Sequence, residues 1–139
     1  MVAISCRLGL AFLGLLLLAA PMAVIAAELC PPKIATRQQL EQELKGWESY
    51  SRFVKHTLKT VVLFEGHPSK QMALKYDETV EQESETVHVW RLHAEAEYWL
   101  ECGYSGTKVV LARRAPRGVT RCEVAWTPHY REVAWLRCK

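Results

Sequence analysis

A chain of 139 residues, half of them hydrophobic and 24% charged, has enough apolar material for one modest core and no more. Its formal net charge of +3 excludes a general electrostatic attraction to nucleic acid. The sequence contains no asparagine, which excludes N-glycosylation.

The start of the chain reads as an export signal. Arg7 is the basic start, Leu8–Leu18 is a leucine-rich apolar run, Pro21 breaks it, and Val24-Ile25-Ala26 supplies the small-residue pattern that signal peptidase reads. This predicts a signal peptide over 1–26, with cleavage after Ala26 or Ala27. A single mature domain over 27–139 would then stand in the periplasm, with no stable membrane span. The competing expectation is an uncleaved anchor that leaves the domain facing the periplasm, because the run to Ala27 carries no charge. Gly9, Gly14, Pro21 and the lack of a basic stop weigh against it. Cys6 leaves with the signal. Cys30, Cys102, Cys122 and Cys138 remain, and an even number in a small exported chain predicts two disulfides. No Cys-x-x-Cys pair suggests a metal site instead.

Cys30-Pro31-Pro32 makes a stiff, extended start. Thr36-x-x-Gln39 is a capping-box pattern, Ile34 can staple onto Leu40, and Gly46 can close the far end. Together they predict a short amphipathic helix over Arg37–Lys45, with Leu40, Leu44 and Trp47 on its apolar side. From Trp47 to His56 a further helical turn and an irregular crossing fit equally. From Thr57 to Glu65 the period becomes two and the residues are β-branched or aromatic, which predicts a strand. Gly66–Ser69 is a turn, and Met72, Leu74 and Tyr76 alternate on a return strand. Asp77–Glu85 reads as an exposed polar loop.

Further strands are expected at Thr86–Leu92, Tyr98–Tyr104, Thr107–Arg113, Val119–Trp126 and Glu132–Cys138, with turns between them. The resulting fold class is α+β: a short N-terminal helix followed by a twisted antiparallel meander of about six or seven strands. Two disulfides pin it. If Trp126 stands opposite Val133, Cys122 lands almost opposite Cys138 on the same face, where a cross-strand bridge fits. Cys30 is then left for Cys102. This pairing is favoured among the three possible.

Chemistry-bearing residues do not converge in the sequence. His88 and His93 fall on opposite strand faces, and His56, His67 and His129 are isolated. Asp77 is the only aspartate, so a Ser-His-Asp triad has little to draw on. No nucleophile, base and orienting group can be named together, and a non-catalytic protein without a cofactor or metal is expected. Attention moves to surface aromatics and charge. Trp90 and Trp126 share the core phase, whereas Trp99 and Trp135 take the opposite phase, beside Glu101 and Arg137. In a meander, alternate turns cluster at the two ends. One end would join Tyr104 to His129, Tyr130 and Arg131; the other would bring His67 beside Arg113, Arg114 and Arg117. Tyr104, His129, Tyr130, Arg131, Arg114, Arg117, Trp99 and Trp135 are therefore the candidate partner-binding residues. Acidic residues crowd Asp77–Glu101 and basic ones Lys108–Lys139, which suggests pairing between neighbouring strands.

Cys30-Pro31, Gly46-Trp47, His56-Thr57-Leu58, Gly66-His67-Pro68, Trp90, Trp99-Leu-Glu-Cys102-Gly-Tyr104, Cys122-Glu-Val124 and Cys138 form a pattern. It resembles a family of small exported bacterial proteins of unassigned function, some of them near type VI secretion genes. The resemblance spans nearly the whole mature chain and implies a periplasmic inhibitor or immunity role. It carries no catalytic residues. A weaker resemblance is to periplasmic lysozyme inhibitors, although their inhibitory loop motif is not recognisable here. The expected function is thus a periplasmic, non-catalytic binding protein against a cell-wall-directed enzyme or toxin. The alternative is an envelope module that recognises anionic glycan or lipid through its basic C-terminal face.

Overall fold

From Val54 onward, stretches that alternate apolar and polar residues with a period of two fold as strands, joined by turns and loops. The computed structural model describes residues 28–139. The expected signal peptide over 1–26, its anchor alternative and the cleavage point lie outside the described residues. Eight strands follow in order: β1 (Lys33–Thr36), β2 (Val54–Glu65), β3 (Glu78–Glu81), β4 (Thr86–Arg91), β5 (Tyr98–Tyr104), β6 (Val110–Arg114), β7 (Arg121–Trp126) and β8 (Val133–Cys138). They form two four-stranded antiparallel sheets, ordered β1-β2-β5-β6 and β3-β4-β7-β8. Consecutive hairpins therefore alternate between the sheets. Leu58, Val61 and Leu63 of β2 and Leu100 and Cys102 of β5 meet Trp90 of β4 and Cys122, Val124 and Trp126 of β7 in one core.

The fold is all-β, which corrects the expected α+β class. Arg37–Lys45 forms no helix, although its capping pattern and apolar spacing are present. A helix this short is marginal in water unless an apolar face packs on something. Leu40, Leu44 and Trp47 are all exposed, so that stabilisation is missing. The single meander is corrected as well. A lone sheet would leave one apolar face in water, whereas two sheets bury each other's inner faces. Asp77–Glu85, read as a loop, contains β3. Its exposed glutamates hide a strand at the sheet edge, where charge guards against stray pairing. The expected return strand at Met72–Tyr76 is reduced to one bridge, Phe64 to Ala73.

Strand β5 spans Tyr98–Tyr104, with Tyr98, Leu100, Cys102 and Tyr104 buried on one face. Trp126 stands opposite Val133 and Cys122 opposite Cys138, the register shifting by one residue between Ala125 and Trp126. The disulfides are Cys122–Cys138 and Cys30–Cys102. The second fixes the N-terminal segment to the sheet. The Tyr104 hydroxyl donates to Pro31 O (2.9 Å), and the Leu58 N–H donates to Pro32 O (2.9 Å). Buried His56 completes this anchor. Its Nδ1 donates to Ser105 O (2.6 Å), and its Nε2 meets the Thr36 hydroxyl (2.8 Å). Both ring nitrogens are used, so His56 has a structural role. Strand β1 then pairs with β2 up to Thr36 opposite Val54, and the chain between them, 37–53, is an excursion from the sheet.

The indole N–H groups of both core tryptophans are satisfied, Trp90 by Leu74 O (3.1 Å) and Trp126 by Lys59 O (3.2 Å). The Trp126 bond places the C-terminal end of β7 beside the N-terminal half of β2. The excursion 37–53, the Ser105–Gly106 turn and the β7–β8 turn therefore emerge at the same end of the sandwich.

Candidate functional site

At that end the β7–β8 turn, Thr127-Pro128-His129-Tyr130-Arg131, has an unusual backbone. His129 (φ 62°) and Tyr130 (φ 53°) are consecutive non-glycine residues in the left-handed region. Each such residue costs on the order of 1–2 kcal/mol. The turn persists because it is tied at its base. The Thr127 N–H donates to Glu132 O (2.9 Å), the Tyr130 N–H to Thr127 O (3.0 Å) and the Glu132 N–H to Thr127 Oγ1 (3.1 Å).

The strained turn lays the Tyr130 ring beside Trp126 (5.9 Å between centroids) and His88 (5.8 Å). His88 lies on the inner phase of β4, next to Trp90, and stacks on Tyr76 at 3.8 Å. Trp126 closes its other side at 4.7 Å. The buried tryptophans thus form a floor, and Tyr76 and Tyr130 stand at the surface, Tyr130 being 47% exposed. Burial holds the His88 imidazole below its ordinary 6.5, with nearby Glu81 partly offsetting the shift. The ring is therefore mainly neutral at pH 7, and the patch offers aromatic surface without charge. His129 and Arg131 flank it, both exposed.

The opposite end assembles a different group. Trp99 donates from Nε1 to Glu97 (2.8 Å), Arg114 lies over its ring at 5.7 Å, and His67 meets it edge-on at 4.6 Å. Glu97 also pairs with Arg114 (3.3 Å). The Trp99 hydrogen bond, aided by the charges of Arg114, Lys70 and Arg117, holds this carboxyl below its ordinary 4.5. A shallow cleft between 94–98 and 114–118 adjoins it, with Arg117 at the rim. Here the polar groups answer one another.

Trp135 occupies a third place, the outer face of β8. Like Val80, it packs against the Val87, Val89 and Ala125 cluster; it donates to Glu85 (2.9 Å) and is covered by Arg137 at 4.6 Å. In the same face the buried Glu123 carboxylate accepts from Arg121 (2.8 Å) and from Arg137. Those bonds hold it well ionised, Arg137 contributing most.

The candidate residues thus fall into separate locations. His129, Tyr130 and Arg131 share one turn; Trp99, Arg114 and Arg117 lie together at the far end; Trp135 is on an outer face. Tyr104 is buried, and its hydroxyl serves the N-terminal anchor. The sequence reading missed Tyr76 and His88. Their signal was His88 sharing a strand phase with Trp90, but the stacking partner comes from a distant segment. Several C-terminal arginines bond carboxylates at separate places, so the basic segment does not form one face. Among the described residues no three His, Cys, Asp or Glu side chains converge as metal ligands, and no helix is long and apolar enough to cross a membrane.

A family model described as type VI secretion system Tli immunity protein matches residues 51–139, well over half of the chain. Neither the curated proteins nor the solved structures yield a match. The matched stretch runs from just before β2 through the β7–β8 turn to the last residue, so it takes in the three disulfide-bearing strands β5, β7 and β8 and the whole aromatic patch. The chain belongs to the type VI secretion system Tli immunity protein family, a non-catalytic, inhibitor-type protein whose partner is a protein effector.

Proposed function

We propose that this immunity protein is exported through residues 1–26 to the periplasm. There it neutralises an effector enzyme that attacks the cell envelope, docking it through the Tyr76–His88–Tyr130 patch. The observation that carries the reading is the pair of left-handed residues, His129 and Tyr130, which hold an exposed aromatic ring over a neutral histidine. Strain of this kind persists where a fixed geometry is useful. Rigid tyrosines on a buried tryptophan floor are suited to the centre of a protein interface, because they bring much contact area at little cost in side-chain freedom.

The test is calorimetric titration with the type VI effector against which this chain protects. Tyr130→Ala and Tyr76→Ala should each weaken binding about tenfold or more while the domain stays folded. Unchanged affinity in both variants would move the interface elsewhere.

A further inference from the structure

Strand β6 closes one edge of the first sheet. Val110–Arg114 is exposed at all five positions, and among the described residues the strand pairs with β5 alone. Its core-side phase, Val109, Leu111 and Arg113, is as exposed as the other, and the second sheet does not cover it. The outer backbone is equally open. The Ala115 N–H donates to Tyr98 O (2.9 Å). Successive residues of an antiparallel strand alternate in the direction of their amides, so Arg113 and Leu111 also bond β5. The N–H and C=O groups of Val110, Ala112 and Arg114 then point away from it. Open edges invite another strand, and proteins guard them by shortness or charge. Strands β1 and β3 have four residues each, β3 bearing Glu78 and Glu81, and β8 is mostly half-buried against β2. In β6 only the C-terminal half is guarded. Arg113 and Arg114 stand there, held by Glu28 O and Glu97. Val109, Val110 and Leu111 form an exposed apolar run without acid or proline.

We infer that β6 is a strand-addition site, where an extended, acidic segment of the effector protein bonds to Val110, Ala112 and Arg114 as a fifth strand of the first sheet. The inference rests on the effector-binding reading above and gives that partner a second contact, made by backbone.

The edge itself selects this occupant. An extended backbone offers donors and acceptors at the spacing of the three outward residues. Charge decides whose backbone. Residues 107–118 hold Lys108, Arg113, Arg114 and Arg117 and no acid. Glu97 pairs with Arg114, and Glu101 lies across from Ala112 in β5, on the side away from the free edge. Lys108, Arg113 and Arg117 have no ion pair among the described residues. Two copies of β6 meet badly. With both Ala112 residues at the axis, Arg113 of one copy lies diagonal to Arg113 of the other, and Arg114 diagonal to Lys108. With both Leu111 residues there, Lys108 stands directly opposite Arg114. The acidic edge β3 of another copy matches in charge, but joining two different edges makes an open chain of copies instead of a closed pair. A foreign strand with carboxylates near Lys108 and Arg113 meets neither objection. Placement agrees. The Ser105–Gly106 turn leads into β6, so Val109–Leu111 lies toward the end of the sandwich that carries the Tyr130 turn, and one partner can meet both.

The test uses Ala112→Pro and, separately, Val110→Pro, each titrated calorimetrically with the type VI effector against which this chain protects. Proline at these positions removes an N–H that faces outward and leaves the bonds to β5 in place, and edge strands accept it there. Both variants should keep the cooperative melt of the wild-type chain, and affinity should fall about tenfold or more in each. In the wild-type complex, hydrogen exchange of the Val110, Ala112 and Arg114 amides should slow by about tenfold or more. Unchanged exchange at these three amides overturns the inference whether or not the variants fold. Full affinity in the folded variants, while Tyr130→Ala weakens binding, overturns it alone. So does self-association of the wild-type chain that the proline variants abolish with effector affinity intact. No binding of the wild-type chain to the effector overturns the docking reading itself and this inference with it.

Discussion

The Tyr130 hydroxyl stands 3.5 Å from His88 Nε2, so the exposed end of the aromatic patch touches a group that can change charge. His88 is held below its ordinary 6.5 by burial. For a base this means that the unfolded chain takes up a proton more readily than the fold does. Stability should therefore be level above pH 6.5 and decline as the pH falls from 6.5 through the depressed folded value. His88→Gln should remove that part of the decline. Thermal melts of both proteins between pH 7.5 and pH 5 measure it, and parallel curves would show that His88 plays no part.

Strain and recognition should trade against each other at His129. Glycine adopts φ 62° without penalty, so His129→Gly should raise stability by about 1 kcal/mol, near 4 °C in melting temperature. The same change frees the turn that positions Tyr130, and effector affinity should drop. A variant both more stable and equally tight would show that the strain has no function.

Glu123 is a buried anion between two arginines on the outer face of the second sheet. Its carboxyl is held below 4.5, chiefly by Arg137 and then by Arg121. The stabilisation is present above the unfolded value and is lost as the pH falls through the folded one. Glu123→Gln should cost about 1–3 kcal/mol at pH 7 and much less at pH 3. Denaturant titrations at the two pH values decide it; an equal cost at both would remove the charge from the explanation.

Both disulfides carry a large share of the stability. In the chain-entropy model Cys122–Cys138 is worth about 3 kcal/mol and Cys30–Cys102 a little over about 4 kcal/mol. Domains of this size have only about 5–15 kcal/mol in total. Reduction should unfold the protein at 37 °C, as read by the loss of tryptophan emission shift, and a native-like spectrum after full reduction would contradict this.

The disulfide framework was legible in the sequence because it depends on register, and register follows from strand phase and one short loop. Trp126 opposite Val133 and Cys122 opposite Cys138 needed nothing from further away. The core phase of Trp90 and Trp126 was legible for the same reason. The helix at Arg37–Lys45 was misread because capping residues and apolar spacing are local, whereas the missing ingredient is a surface for Leu40 and Leu44 to pack on. Strand β3 was hidden by its own charges, since edge strands carry Glu78 and Glu81 in place of an apolar run. The patch at His88 escaped for a third reason. Tyr76, Trp126 and Tyr130 reach it from three separate parts of the chain, and no pattern within any one of them announces the meeting.

The bridge from Cys30 to Cys102 spans 72 positions, and that distance orders events in time. Synthesis runs from the N-terminus, so Cys30 is made long before the strand that holds its partner. Until β5 is delivered and oxidised, β1 has no covalent hold, and the excursion beyond it has no fixed root. The segment made first is thus secured late, and only where thiols are oxidised. A copy kept under reducing conditions would carry the same residues without the bond that fixes the segment before β1 to β5.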